Sequence, residues 1–158
     1  MKINRKEIAQ ETVRIQQQGY YEYDGRRIDI ADAQKNSEDR SRLISPEEGA
    51  ELVRNLPSAK LTGGRRAACS VANEATVKAI LDCAEAGRER VGVLNFASAK
   101  NPGGGFLNGA MAQEESLAAS SGLYGTLLRH PDYYEKNRAC PSMTCTDYAM
   151  YSPDVVCF

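Results

Sequence analysis

The 158-residue sequence contains one histidine, His130, and five cysteines, none of them in a Cys-x-x-Cys pair. Zinc-ligand spacing and a disulfide framework are therefore both missing. An odd set of thiols (Cys69, Cys83, Cys140, Cys145 and Cys157) instead predicts reduced cysteines in a cytoplasm. Charge of one sign is also lacking, since 20 Lys and Arg face 21 Asp and Glu for a net −1. No basic field exists to attract a polyanion, which excludes duplex nucleic acid as a partner and leaves local dipoles to hold any anionic ligand. No apolar run approaches the roughly 18 residues of a membrane helix, and the opening Met1-Lys-Ile-Asn-Arg-Lys-Glu has no signal-peptide core. The expectation is a soluble, intracellular protein with no membrane association. Repeats and low-complexity linkers are absent, and the length suits one domain.

What is present is regular punctuation. Residues 5–18 carry Ile8, Val13 and Ile15 among polar residues and stop at Gly19, which predicts a helix with a glycine cap. Tyr20-Tyr-Glu-Tyr and Arg26-Arg-Ile-Asp-Ile flank Asp24-Gly25, a hairpin signal because both turn residues tolerate positive φ. Residues 31–44 are polar and assign to no element. Ser45-Pro46-Glu47-Glu48 opens a helix by a capping box and a proline in the first turn, and that helix ends near Asn55. Ala67-Ala-Cys-Ser-Val reads as a buried strand. Asn73 caps a helix over 74–86 with Val77, Ile80, Leu81 and Ala84 on one face, ended by Gly87. The apolar run 91–96 is a second strand, so the segment reads as a strand–helix–strand unit of a parallel sheet. One helix over about 113–128 places Leu117, Ser120, Ser121, Tyr124 and Leu128 on a single side. Strands at 148–151 and 155–158 surround a Ser152-Pro153 turn, and an apolar strand at the end of the chain predicts further sequence beyond it.

The densest signal is Asn95-Phe-Ala-Ser-Ala-Lys-Asn-Pro-Gly-Gly-Gly, followed after seven residues by Gln113-Glu114-Glu115. Glycines let a backbone approach a ligand closely, and the N–H groups there and at a following helix start suit phosphate oxygens. Two carboxylates beside bound phosphates are unfavourable in a site that only holds a nucleotide. Their presence points to chemistry on an attached sugar. Other glycine motifs fail: a P-loop needs Lys and Ser or Thr after its last glycine, and the dinucleotide pattern needs a third glycine where Asn108 stands. Ser120 and Ser121 lack a Gly-x-Ser-x-Gly elbow.

The triplet Gly103-Gly104-Gly105, the seven-residue spacer and Gln113-Glu114-Glu115 resemble the signature of poly(ADP-ribose) glycohydrolases. The flanks Val93-Leu-Asn-Phe-Ala-Ser-Ala-Lys-Asn-Pro and Glu115-Ser-Leu-Ala-Ala-Ser-Ser-Gly-Leu-Tyr resemble the microbial branch, and the similarity runs from Arg5 to the last residue. The resemblance implies a macrodomain-like α/β fold, a mixed central sheet flanked by helices, of which residues 1–158 are the N-terminal part of one catalytic domain. It implies hydrolysis of ribose–ribose bonds in poly(ADP-ribose), or in ADP-ribosylated protein, without a metal or other cofactor. By the same resemblance Glu115 is the catalytic acid and base, Glu114 contacts ribose hydroxyls, and Gln113 fixes the segment or the ligand. Gly103, Gly104 and Gly105 lie against the diphosphate and distal ribose, with Asn101 and Asn95 offering amides to ribose. Family members carry a second phosphate-binding loop on later elements, for which this chain has no sequence.

The chemistry is consistent with these residues. Breaking a glycosidic bond through an oxocarbenium-like transition state needs a proton on the leaving oxygen and a base for water. One glutamic acid serves both in turn where burial and neighbouring negative charge favour its protonated form. Adjacent helical residues project about 100° apart, so Glu114 and Glu115 cannot both face the scissile bond. The residues alone leave other readings open: two acids at a helix start also complement its dipole, and a glycine triplet after Pro102 is also a turn. Phe96 reads as core, whereas Tyr20, Tyr21, Tyr23, Tyr133, Tyr134, Tyr148 and Tyr151 either stack an adenine or pack. A non-catalytic ADP-ribose-binding module and a nucleotide N-glycosidase are the alternative functions. A half-built sheet would also expose a strand edge and favour self-association.

Overall fold

The computed structural model describes residues 4–56, 68–141 and 144–158. Helix α1 (Arg5–Gln18) starts where the Asn4 side chain accepts from Lys6 N at 3.2 Å and ends at Gly19, whose φ of 76° only glycine adopts freely. Its buried face is Ala9, Thr12 and Ile15, a spacing of three that turns Ile8 outward. Strands β1 (Tyr20–Tyr23) and β2 (Arg26–Asp29) form the expected antiparallel hairpin, with Tyr23 opposite Arg26 and positive φ at both Asp24 and Gly25.

The polar segment that follows is helix α2 (Ala31–Arg40) and strand β3 (Arg42–Ile44). Apolar periodicity could not find α2, because the residues it buries are Gln34 and Ser37. Gln34 Nε2 donates to Gly122 O at 3.0 Å and Ser37 Oγ to Pro153 O at 2.6 Å, so this helix docks by hydrogen bonds instead of hydrocarbon. Helix α3 (Pro46–Asn55) is capped as expected, with Ser45 Oγ accepting from Glu48 N at 3.2 Å. Helix α4 (Thr76–Glu85) begins after Ala75, two residues later than an Asn73 cap would place it.

Helices α5 (Gln113–Ala119) and α6 (Leu123–Leu128) replace the single helix expected over 113–128. The break is tertiary in origin: Ser121 bridges Cys157 in antiparallel fashion, Gly122 N donates to Val156 O at 2.8 Å, and Phe158 N donates to Ser120 O at 3.2 Å. Gly122 also lies so close to Gln34 that a Cβ there would sit 1.8 Å from Oε1. Helix α7 (Pro131–Ala139) buries Tyr133 and Tyr134, which pack edge to face. Strand β4 (Ala149–Tyr151) pairs antiparallel with β3, Leu43 opposite Met150, while the expected strand at 155–158 makes only the Cys157 bridge.

Two apolar clusters hold these elements: Ala9, Phe106 and Ala118, and Leu117, Leu123 and Leu127 with Val77, Ile80, Met150 and Val155 against them. The described residues thus form an α/β arrangement of seven helices and two antiparallel two-stranded sheets. Among the described residues the expected strand–helix–strand unit does not form. Residues 68–73 and 91–98 carry no ladder, and Ala67 lies outside the described residues. A strand is stabilised by neighbours on its hydrogen-bonding edges, and the described residues place none beside 91–96. Its side chains also face outward: Leu94 is 73% exposed, and Phe96, expected in the core, is 74% exposed.

Candidate active site

The residues between Asn95 and Glu115 fold into one hydrogen-bonded unit around the first turn of α5. After Pro102 the chain turns with Gly104 N donating to Asn101 O at 3.0 Å and Phe106 N to Gly103 O at 3.1 Å. Gly103 and Gly104 take φ of 67° and 57°, in the left-handed region. Contact enforces glycine as well. A Cβ on Gly103 would stand 2.9 Å from the Phe106 ring, one on Gly104 2.3 Å from Glu115 Oε1, and one on Gly105 2.8 Å from Ala110 Cβ. The short helical turn Phe106–Asn108 then drives Phe106 into the core, where it anchors the loop against α1 and α5.

Each member of Gln113-Glu114-Glu115 takes hold of a different part of that loop. Gln113 Oε1 accepts from Phe96 N at 2.7 Å, while its Nε2 donates to Leu94 O at 3.0 Å and to Thr76 Oγ1 at 3.1 Å. Its amide is thereby committed to the segment, not to the cleft. Glu114 is 2% exposed; Oε1 accepts from Gly103 N at 3.0 Å and Oε2 from Ser98 N. Burial raises its carboxyl pKa, the two N–H donors oppose that, and the Glu115 charge adds to it. Glu115 Oε1 accepts from Gly105 N at 3.0 Å, and its carboxylate is the one that reaches the open cleft.

That cleft encloses about 540 Å³ and is lined by Ser98, Asn101, Pro102, Gly104, Gly105 and Glu115. Leu107, Asn108 and Tyr124 complete the lining and were not anticipated. Leu107 and Asn108 come one residue after the glycine triplet, a positional signal; Tyr124 closes the flank 115–124 that carries the family resemblance, but a continuous helix set it on the side of Leu117 and gave no sign of the cleft. Among the residues singled out from sequence, Asn101, Gly104, Gly105 and Glu115 meet at the cleft, whereas Gly103, Gln113 and Glu114 lie behind it and shape it. Asn95 is not part of the lining; its Oδ1 is buried without a hydrogen-bond partner among the described residues. The glycine N–H groups also differ from expectation, since those of Gly103 and Gly105 are given to the two glutamates and that of Gly104 to Asn101 O. From the far side, Arg138 Nη1 of α7 donates to Lys100 O at 2.6 Å and ties down the stretch before Pro102. Tyr133 and Tyr134 are buried packing residues, and among the described residues no cluster of His, Cys, Asp and Glu has the makings of a metal site.

Comparison with known proteins bears on this geometry. The family described as the microbial-type PARG catalytic domain matches residues 9–158. The crystal structure of poly(ADP-ribose) glycohydrolase (PARG) from Thermomonospora curvata is 41% identical, with a TM-score of 0.92 over 98% of this chain and 56% of its own. The same enzyme bound to the inhibitor ADP-HPD is 40% identical, TM-score 0.86, over 98% of this chain and 54% of its own. The Deinococcus radiodurans PARG in complex with ADP-ribose is 39% identical, TM-score 0.68, over 79% of this chain and 49% of its own. No curated protein matches. The chain spans about half the length of the solved structures it matches. With the fold shared along 98% of its residues, and the glycine loop and Gln-Glu-Glu segment inside the matched range, the chain belongs to the microbial-type PARG catalytic domain family.

Proposed function

We propose that this chain bears the catalytic glutamate of a poly(ADP-ribose) glycohydrolase, with Glu115 as the general acid and base. The observation that carries the reading is the division between the two acids: Glu114 is immobilised by two backbone N–H groups under the loop, and Glu115 stands in the cleft beside Gly104 and Gly105. Protonated Glu115 gives its proton to the leaving ribose oxygen as the glycosidic bond breaks. The resulting carboxylate then takes a proton from the water that attacks the oxocarbenium-like sugar. Gly104 and Gly105 admit the ribose–diphosphate portion because no side chain stands between backbone and ligand, and Asn101 offers its amide at the cleft edge. Glu114, Gln113 and Gly103 act as positioning residues.

The same proposal takes residues 1–158 as the N-terminal part of a single macrodomain-like catalytic domain. Support comes from relatives more than one and a half times as long and from the apolar run 91–96, which has no ladder partner among the described residues and whose outward apolar side chains suit a covering layer. Five free cysteines accord with a reducing cytoplasm. The test is release of ADP-ribose from poly(ADP-ribose) by the 158-residue chain and by a version extended past Phe158, with mono-ADP-ribosylated protein and nucleotides as competing substrates. Polymer hydrolysis that appears or rises on extension supports the reading. Binding of ADP-ribose without turnover in either version would make this a binding module, and cleavage of nucleotides alone an N-glycosidase.

A further inference from the structure

Tyr124 is a polar residue of the cleft that the arrangement above does not use. Tyr124 comes from α6 and so forms a wall independent of the loop and of α5. Its ring is fixed by an edge contact with Phe106, centroids 4.8 Å apart at 63°, and Phe106 is itself buried in the core. The glycine loop places this ring with respect to the catalytic acid. A Cβ on Gly103 would lie 3.1 Å from Tyr124 Cδ2, and one on Gly104 2.3 Å from Glu115 Oε1. Consecutive Cα atoms are about 3.8 Å apart, so phenol and carboxylate flank neighbouring residues and border the same space. The ring has a packing role, but the hydroxyl has no hydrogen bond among the described residues.

We propose that Tyr124 is a sugar-positioning residue, its hydroxyl donating a hydrogen bond to an oxygen of the ribose whose glycosidic bond faces Glu115. This rests on the reading of Glu115 given above. The chemistry favours a hydroxyl here, because an ionised glutamate only accepts hydrogen bonds whereas a phenol donates one without adding charge beside the diphosphate. The rigid ring would hold that donor at a set distance from the acid, and so set the angle at which the ribose presents its leaving oxygen.

Tyr124→Phe removes the hydroxyl and keeps the ring. In NMR titrations of the 158-residue chain with ADP-ribose and, separately, with ADP, the variant is expected to bind ADP-ribose about three- to tenfold more weakly. Its affinity for ADP and its unfolding midpoint without nucleotide stay unchanged. Equal affinity of variant and parent for ADP-ribose overturns the proposal and leaves the role of Glu115 standing. Equal weakening toward ADP and ADP-ribose overturns the assignment to the sugar, and a lowered unfolding midpoint shows that the hydroxyl serves the fold instead. Where the 158-residue chain binds neither ligand at millimolar concentration, the same titrations on the version extended past Phe158 decide between these outcomes, and absence of binding there overturns this proposal together with the reading on which it rests.

Discussion

Residues 91–96 and residues 113–119 belong to one hydrogen-bonded arrangement and fare differently in it. Both have clear sequence signals, an apolar alternation in the first and an acidic helix start in the second. The helix closes its backbone bonds within its own segment and is well anchored: Leu117 and Ala118 are buried, and its first three side chains each find a partner outside it. Among the described residues, the apolar run is hydrogen-bonded only where Gln113 grips Leu94 O and Phe96 N, while Val91, Val93, Leu94 and Phe96 remain outward. The difference is one between local and non-local stabilisation. A helix closes its hydrogen bonds within one segment, but a strand borrows them from a neighbour.

The sharpest way to break this comparison is at the acid. Glu115→Gln keeps size and the acceptor for Gly105 N but has no acidic proton to give, so turnover should fall by roughly 10³-fold or more while ADP-ribose binding persists. Near-normal release of ADP-ribose from polymer would end the assignment of Glu115. Completing the other region should act in the opposite direction. An extended chain that covers 91–96 and supplies a second phosphate contact should bind ADP-ribose tighter by about a thousandfold, or roughly 4 kcal/mol, in calorimetry. Equal affinity of the short and long chains would mean that the cleft is already closed.

Next in size is Gly104→Ala, which adds a Cβ 2.3 Å from Glu115 Oε1 at a φ of 57°. Strain and displacement of the carboxylate together should cost about 1–3 kcal/mol in urea unfolding and weaken ligand binding as well. An unchanged denaturation midpoint would show that the loop relaxes freely. Glu114→Gln should also destabilise, by about 1–3 kcal/mol, because an amide offers one acceptor oxygen to two backbone donors.

The pH dependence of that variant sharpens the point. Burial raises the Glu114 pKa, so the folded chain holds this proton more tightly than the unfolded chain does. The stabilisation from that proton is complete below the ordinary glutamate pKa and is lost as pH rises through the higher folded value. Measured across mildly acidic pH, the stability gap between the parent and Glu114→Gln should therefore narrow as pH increases. A gap that widens would reverse the sign. The smallest effect belongs to Phe96→Ser: with the side chain 74% exposed, stability of the 158-residue chain should change by no more than about 0.5 kcal/mol. A large loss would mean that Phe96 is packed after all.

How much could be read in advance varied with the kind of interaction. Local chemistry was legible: Gly19 and Ser45 as caps, Asp24-Gly25 as a hairpin turn, and the glycine triplet with Gln113, Glu114 and Glu115 as segments that the fold brings together. Helix α2 was not, because it buries Gln34 and Ser37 and polar burial leaves no apolar period to find. The split between α5 and α6 was hidden too, since each half has helical spacing and the break comes from contacts made by residues 156–158.

The sequence by itself determined the constellation and its order: an extended apolar run, glycines that alone tolerate the φ values and approach distances of the loop, and two adjacent acids at a helix start. Those properties follow from single residues and their immediate neighbours. Only tertiary structure decided which acid reaches the cleft. The backbone N–H groups of Ser98 and Gly103 meet one carboxylate and Gly105 the other, and a 100° step along α5 then separates a buried clasp from an accessible acid. Which donor meets which oxygen depends on how the loop is anchored by Phe106 in a core that it shares with α1, and no spacing within the motif encodes that contact.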